Sequence, residues 1–180
     1  MRLIVLAALY MGLTAGANAD PALEALKDGD MRKLVVHSEP AAMPEATFTG
    51  EDGSEMTLAE YEGQVVLLNF WATWCAPCRK EMPHLSELQT ELGGSDFQVV
   101  TVATGRNPPE GMVRFLEEIG VDNLPLHRDP RQKLARGAGV LGLPVTVLLD
   151  REGREIARLQ GDANWASDSA KAMIGAVMAR

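Results

Sequence analysis

The chain has 180 residues, 46% of them hydrophobic, and a formal net charge of −8 at pH 7. That acidic balance argues against nucleic acid and anionic membrane surfaces as partners. The two cysteines are too few for a disulfide scaffold, and a chain of this length buries a core without one.

Residues 1–19 have the pattern of a secretory signal peptide. Arg2 supplies the positive start, Leu3 to Leu13 form a short apolar run, and Ala17-Asn18-Ala19 is a small-x-small cleavage site. The alternative is an uncleaved membrane anchor, but the run falls short of the roughly 20 residues that a spanning helix needs. Cleavage before Asp20 is expected. Residues 20–44 then form an N-terminal extension packed on a single domain of residues 45–180. Within the extension, Asp20 to Lys27 predicts a short helix and Leu34 to Val36 a short strand.

Phe48 to Thr57 reads as a hairpin turning at Asp52-Gly53, followed by a helical turn over Leu58 to Tyr61. Val65 to Phe70 is short and apolar on both faces, the pattern of a central buried strand. A helix runs from Cys75 to about Leu92, with Met82, Leu85, Leu88, Gln89 and Leu92 as its inner stripe and Pro83 in its interior. Phe97 to Ala103 predicts another buried strand. Glu110 to Ile119 predicts an amphipathic helix buried through Met112, Val113, Phe115, Leu116 and Ile119. A short strand over Leu124 to Leu126 and a short helix over Arg131 to Ala138 follow. Val145 to Leu149 is the last buried strand, Glu155 to Leu159 its antiparallel partner, and Trp165 to Met178 a closing helix with Trp165, Ala172, Met173, Ala176 and Val177 inward. The order is that of an α/β domain, a mixed sheet with helices on both faces.

The chemistry gathers at Trp71-Ala-Thr-Trp-Cys-Ala-Pro-Cys78, where a strand ends and a helix begins. Cys75 and Cys78 lie about one helical turn apart and can touch. A disulfide closing so small a ring adds little loop entropy, so a redox role fits this pair better than a structural one. A thiolate is the attacking species in exchange, and a helix N-terminus lowers thiol pKa. Cys75, at the N-cap, is the expected nucleophile, and the more enclosed Cys78 the resolving thiol. Pro77 suits the first turn, where its missing N–H costs nothing. A zinc site needs four ligands, and His37, His84 and His127 lack ligand spacing. A copper(I) site of Cys75, Cys78 and His84 is a separate alternative. Gly137 to Gly142 spells G-x-G-x-x-G, but it follows a helix and leads into a strand, the reverse of a dinucleotide fingerprint.

The stretch Val65 to Cys78 resembles the active-site strand and turn of thioredoxin-fold proteins, and more closely the exported TlpA/ResA/CcmG-like branch. Arg79-Lys-Glu-Met-Pro83 resembles that branch's continuation, the hairpin over 48–57 its N-terminal addition, and the stretch between Thr104 and Asp129 its inserted helix and strand. Gly142-Leu-Pro-Val-Thr146 is similar to the loop that carries the fold's cis-proline. The resemblance implies a thioredoxin-like domain over 45–180 that exchanges disulfides with client proteins, as a monomer, in the periplasm. It implies a reductase of the cytochrome c maturation or copper-oxidase assembly type, served by a membrane-embedded thiol reductase as electron donor, with no small cofactor and no metal. A disulfide-donating oxidase and a copper-binding chaperone are the alternatives.

The resemblance also assigns supporting residues. Pro144 shapes the docking groove, and the Leu143 backbone pairs with an extended client strand. Trp74 is the flat wall beside the attacking sulfur, while Trp71 fits core or rim equally. Thioredoxins proper carry a buried aspartate where this chain has Asn69, which cannot accept a proton. Glu81, three residues past Cys78, is the candidate proton partner in its place; as an ordinary first-turn glutamate it would instead be solvated.

Overall fold

The computed structural model describes residues 20–180, so the signal-peptide reading of residues 1–19 lies outside the described residues. Eight strands form one sheet in the order β1-β8-β7-β4-β5-β6-β2-β3. They are β1 (Val35–Ala41), β2 (Phe48–Thr49), β3 (Glu55–Met56), β4 (Val65–Trp71), β5 (Phe97–Thr104), β6 (His127–Asp129), β7 (Val145–Leu149) and β8 (Glu155–Gln160). The helices are α1 (Pro21–Ala25), α2 (Ala76–Leu92), α3 (Pro109–Glu118), α4 (Lys133–Gly137) and α5 (Asp168–Met178), with 3-10 turns at Gly29–Lys33 and Leu58–Tyr61.

All seven residues of β4 are buried, because the strand is central and covered on both faces. It pairs in parallel with β5, the connection being α2, and antiparallel with β7. Its side chains alternate between two cores. Val65, Leu67 and Trp71 join Met82, Leu85 and Leu88 of α2, Phe115 of α3 and Met173 of α5. Val66, Leu68 and Phe70 point the other way, towards Leu134 and Ala135 of α4. This is the thioredoxin-like arrangement, a mixed sheet with helices on both faces, carrying the hairpin β2–β3 and the inserted α3 and β6.

Several elements differ from their sequence expectation. The strand predicted at Leu124 to Leu126 lies at His127–Asp129. Pro125 has no N–H for a ladder, and its carbonyl accepts instead from the Thr101 hydroxyl at 2.5 Å. Helix α3 buries Met112, Phe115 and Leu116, but Val113 is exposed: a single helix face holds only part of the apolar set. The closing helix begins at Asp168, capped by Ser167. Trp165 is buried ahead of it, Ala172 is exposed and Ile174 takes an inward position. The N-terminal strand runs on to Ala41 and pairs with β8 at the sheet edge. The hairpin turns where expected, with Gly53 at φ +88°, a conformation glycine adopts without a Cβ clash.

Candidate active site

Strand β4 delivers the chain to the N-terminus of α2, and the two cysteines sit at that junction. Cys75 is the N-cap, in extended conformation, and Pro77 occupies the first turn of the helix. A disulfide joins Cys75 to Cys78. The Cys78 backbone N–H donates to Cys75 Sγ at 3.3 Å, so a free helix N–H is aimed at the first sulfur rather than the second. Cys75 retains 5% of its surface and Cys78 none, so Cys75 is the more accessible of the two.

The turn before Cys75 is held by Asn107, which sequence reasoning did not single out. Its Oδ1 accepts from Thr73 N at 2.8 Å and Thr73 Oγ1 at 3.0 Å, while its Nδ2 donates to Thr104 O at 2.9 Å. The only sequence signal was an Asn-Pro pair in a loop. Trp71 is wholly buried, with its ring 5.0 Å from Phe115, so it belongs to the core. The Arg79 guanidinium lies over the Phe115 ring, 4.4 Å from its centre. Trp74 is 67% exposed and stands at the surface.

The Leu143–Pro144 peptide is cis. Pro144 is buried, while Leu141 is 94% exposed. A cavity of about 510 Å³ runs between this loop and Trp74, lined also by Thr104, Gln132, Arg136 and Leu143. Among the described residues, neither backbone group of Leu143 bonds another backbone group. Trp74, Leu143 and the loop before Pro144 are therefore brought to one open groove.

Glu81 is not solvated; it is 1% exposed. Its surroundings follow from register. Asn69 on β4 lies opposite Thr146 on β7, and both side chains point to the face covered by α2. Asn69 Nδ2 donates to Glu81 Oε1 at 2.7 Å and to Thr146 Oγ1 at 2.9 Å. The Ala163 backbone N–H donates to Glu81 Oε2 at 3.3 Å. The Trp165 indole N–H faces the same carboxyl but falls outside hydrogen-bonding geometry. Burial outweighs these donors and pushes the Glu81 pKa up to about 7. A carboxyl one turn beyond Cys78 thus takes and releases a proton near neutrality. Asn69 does not titrate; it orients the group that does.

His84 is half-buried on α2, and among the described residues no three His, Cys, Asp or Glu side chains form a group able to hold a metal ion. The Gly137 to Gly142 stretch begins on the last residue of α4 and leads into β7, away from any helix N-terminus.

Residues 38–174 match the Redoxin family. The thiol-disulfide oxidoreductase ResA of Geobacillus thermodenitrificans (strain NG80-2) is 33% identical over 111 residues, covering 62% of this chain and 63% of that protein. ResA of Geobacillus kaustophilus (strain HTA426) is 34% identical over 110 residues, covering 61% and 62%. The chain therefore spans a little under two thirds of the length of these relatives. Among solved structures, a DsbF homologue from Corynebacterium diphtheriae has a TM-score of 0.66 at 27% identity, covering 79% of this chain and 92% of that one.

Proposed function

The chain belongs to the Redoxin family, and on that premise we propose that it exchanges disulfides with client proteins outside the cytoplasm, working as a reductase. The observation that carries the reading is the Cys75–Cys78 disulfide at the start of α2, beside an open groove. In the reducing direction the Cys75 thiolate attacks one sulfur of a client disulfide. An S–S bond forms between Cys75 and the client, the client's own S–S bond breaks, and the departing client sulfur takes up a proton. The Cys78 thiolate then attacks Cys75 Sγ, closing the Cys75–Cys78 disulfide and releasing the client's second thiol. The client gains two electrons and two protons, and this chain loses them.

Glu81 supports the reducing direction. A carboxylate near the pair disfavours thiolate, and a less stabilised reduced form makes a weaker oxidant. As a base near neutrality three residues past Cys78, it draws the proton from that thiol. The Leu143 backbone receives an extended client segment, Pro144 shapes that groove, and Trp74 walls it.

The resemblance to the ResA-like branch extends the reading to clients of cytochrome c maturation or copper-oxidase assembly. It also points to a membrane-embedded thiol reductase that restores the dithiol, and to a periplasmic monomer freed from its leader at residue 19. No described helix is long and apolar enough to cross a membrane.

Two measurements test this. The Cys78→Ser variant is expected to accumulate a mixed disulfide through Cys75, separable by non-reducing electrophoresis; capture by Cys78 in the Cys75→Ser variant instead would reverse the roles. Equilibration with glutathione is expected to give a potential well below that of a strong oxidant. A value near about −120 mV would make the chain an oxidase.

A further inference from the structure

A buried carboxylate on the far side of the sheet has no part in the exchange described above. Glu155, at the start of β8, is 3% exposed. Its Oε1 meets Arg158 Nε at 2.5 Å and His37 Nε2 of β1 at 2.6 Å, and its Oε2 accepts from Arg158 Nη2 at 2.5 Å. A buried carboxylate is costly unless paired in this manner. The same Nη2 also donates to Ala138 O at 3.1 Å.

Ala138 is the residue where α4 ends and the loop towards Pro144 begins. Its carbonyl is one of the groups a helix end leaves without an internal partner. Beyond it, Gly139 takes a left-handed φ of +70°, and Leu141 and Gly142 stand in open space. Gly139 N and Val140 N donate back to Arg136 O at 3.0 Å and Ala135 O at 2.9 Å, and at the other end Pro144 O accepts from Gly161 N at 2.9 Å; among the described residues, Leu141 to Leu143 between them make no backbone bond. One guanidinium, itself oriented by a bidentate bond to Glu155, thus adds a side-chain tie between β8 and the helix end where the loop departs. A planar fork reaches a carboxylate and a carbonyl at once; an ammonium does not.

We infer that Arg158, oriented by Glu155, is a positioning residue that braces the Ala138–Pro144 loop for backbone pairing with a client chain. The inference rests on the disulfide-exchange reading. Arg158 touches neither cysteine, so its loss weakens docking and leaves the sulfur chemistry intact.

The test uses the full chain in reduced form and two probes. One is a synthetic peptide closed by a Cys-x-x-Cys disulfide, which needs the loop; the other is a small aromatic disulfide, which needs only Cys75. In Arg158→Met, KM for the peptide is expected to rise about tenfold, the size of a lost charge-assisted hydrogen bond, with kcat and the small-disulfide rate unchanged. Arg158→Lys keeps a cation beside Glu155 and is expected to show the same rise; it decides the matter if the methionine variant does not fold. Parallel changes with both probes, no change with either, or a wild-type KM in the lysine variant overturns the inference. If the wild-type chain reduces neither probe, the exchange reading fails instead. Amide hydrogen exchange at Gly139 and Val140, whose N–H groups bond α4, then still reports on the brace, with about tenfold faster exchange expected in Arg158→Met and an unchanged rate counting against it.

Discussion

Glu81 shows how one side chain couples protons to this fold. Its carboxyl titrates near 7 in the folded chain, above its ordinary value of 4.5. The folded state therefore holds the proton more tightly than the unfolded state. The stability this adds is complete below about pH 4.5, falls as pH rises towards 7, and is absent above it, a change of roughly 3 kcal/mol. Urea denaturation of the wild type and of Glu81→Gln across pH 5 to 8 is expected to show this slope in the wild type only. Equal slopes in both would remove Glu81 as the source. The sequence placed Glu81 three residues past Cys78, which is a fact of helical spacing. It did not reveal the burial, because the groups that enclose the carboxyl come from β4, β7 and the loop after β8.

Among the elements, the turn into α2 depends on a loop that follows β5. Among the described residues, the side-chain acceptor for Thr73 N is Asn107 Oδ1, and Asn107 is itself buried. Asn107→Ala is expected to cost about 1–3 kcal/mol in chemical denaturation, the penalty of an unpaired buried donor. A loss within error would mean that the turn holds its shape without this clamp. Strands and helices were legible where one period dominated: β4 from its unbroken apolar run, α2 from its stripe and its start at the cysteines. They were misplaced where pairing decides. His127–Asp129 is a strand because it lies beside Val102–Thr104, a neighbour its local pattern does not encode. Val113 and Ala172 read as inward because apolar residues were plentiful, yet each helix has only one face to bury.

At the scale of the whole molecule, the proposed extension of residues 20–44 is joined to the sheet. Strand β1 covers the free edge of β8, and Leu23, Met31, Leu34 and Val36 enter the core shared by α2 and α5. Deleting residues 20–41 is expected to cost more than about 3 kcal/mol, since several buried apolar side chains go at once. It also uncovers a strand edge, so self-association should appear in size-exclusion profiles. A stable, monomeric truncation would show that the domain stands without its extension.

The cysteine pair, its strand-to-helix setting, the layered α/β order and the proline loop were all readable in the chain, because each is local. Spacing, period and short motifs act within a few residues. The proton box around Glu81, the Asn107 clamp and the Arg158 brace came only with the tertiary structure. They join residues 77, 34 and 20 apart in turn, brought together by sheet register and by helix packing across it. Register is a property of all the strands at once, so no single stretch of sequence carries it.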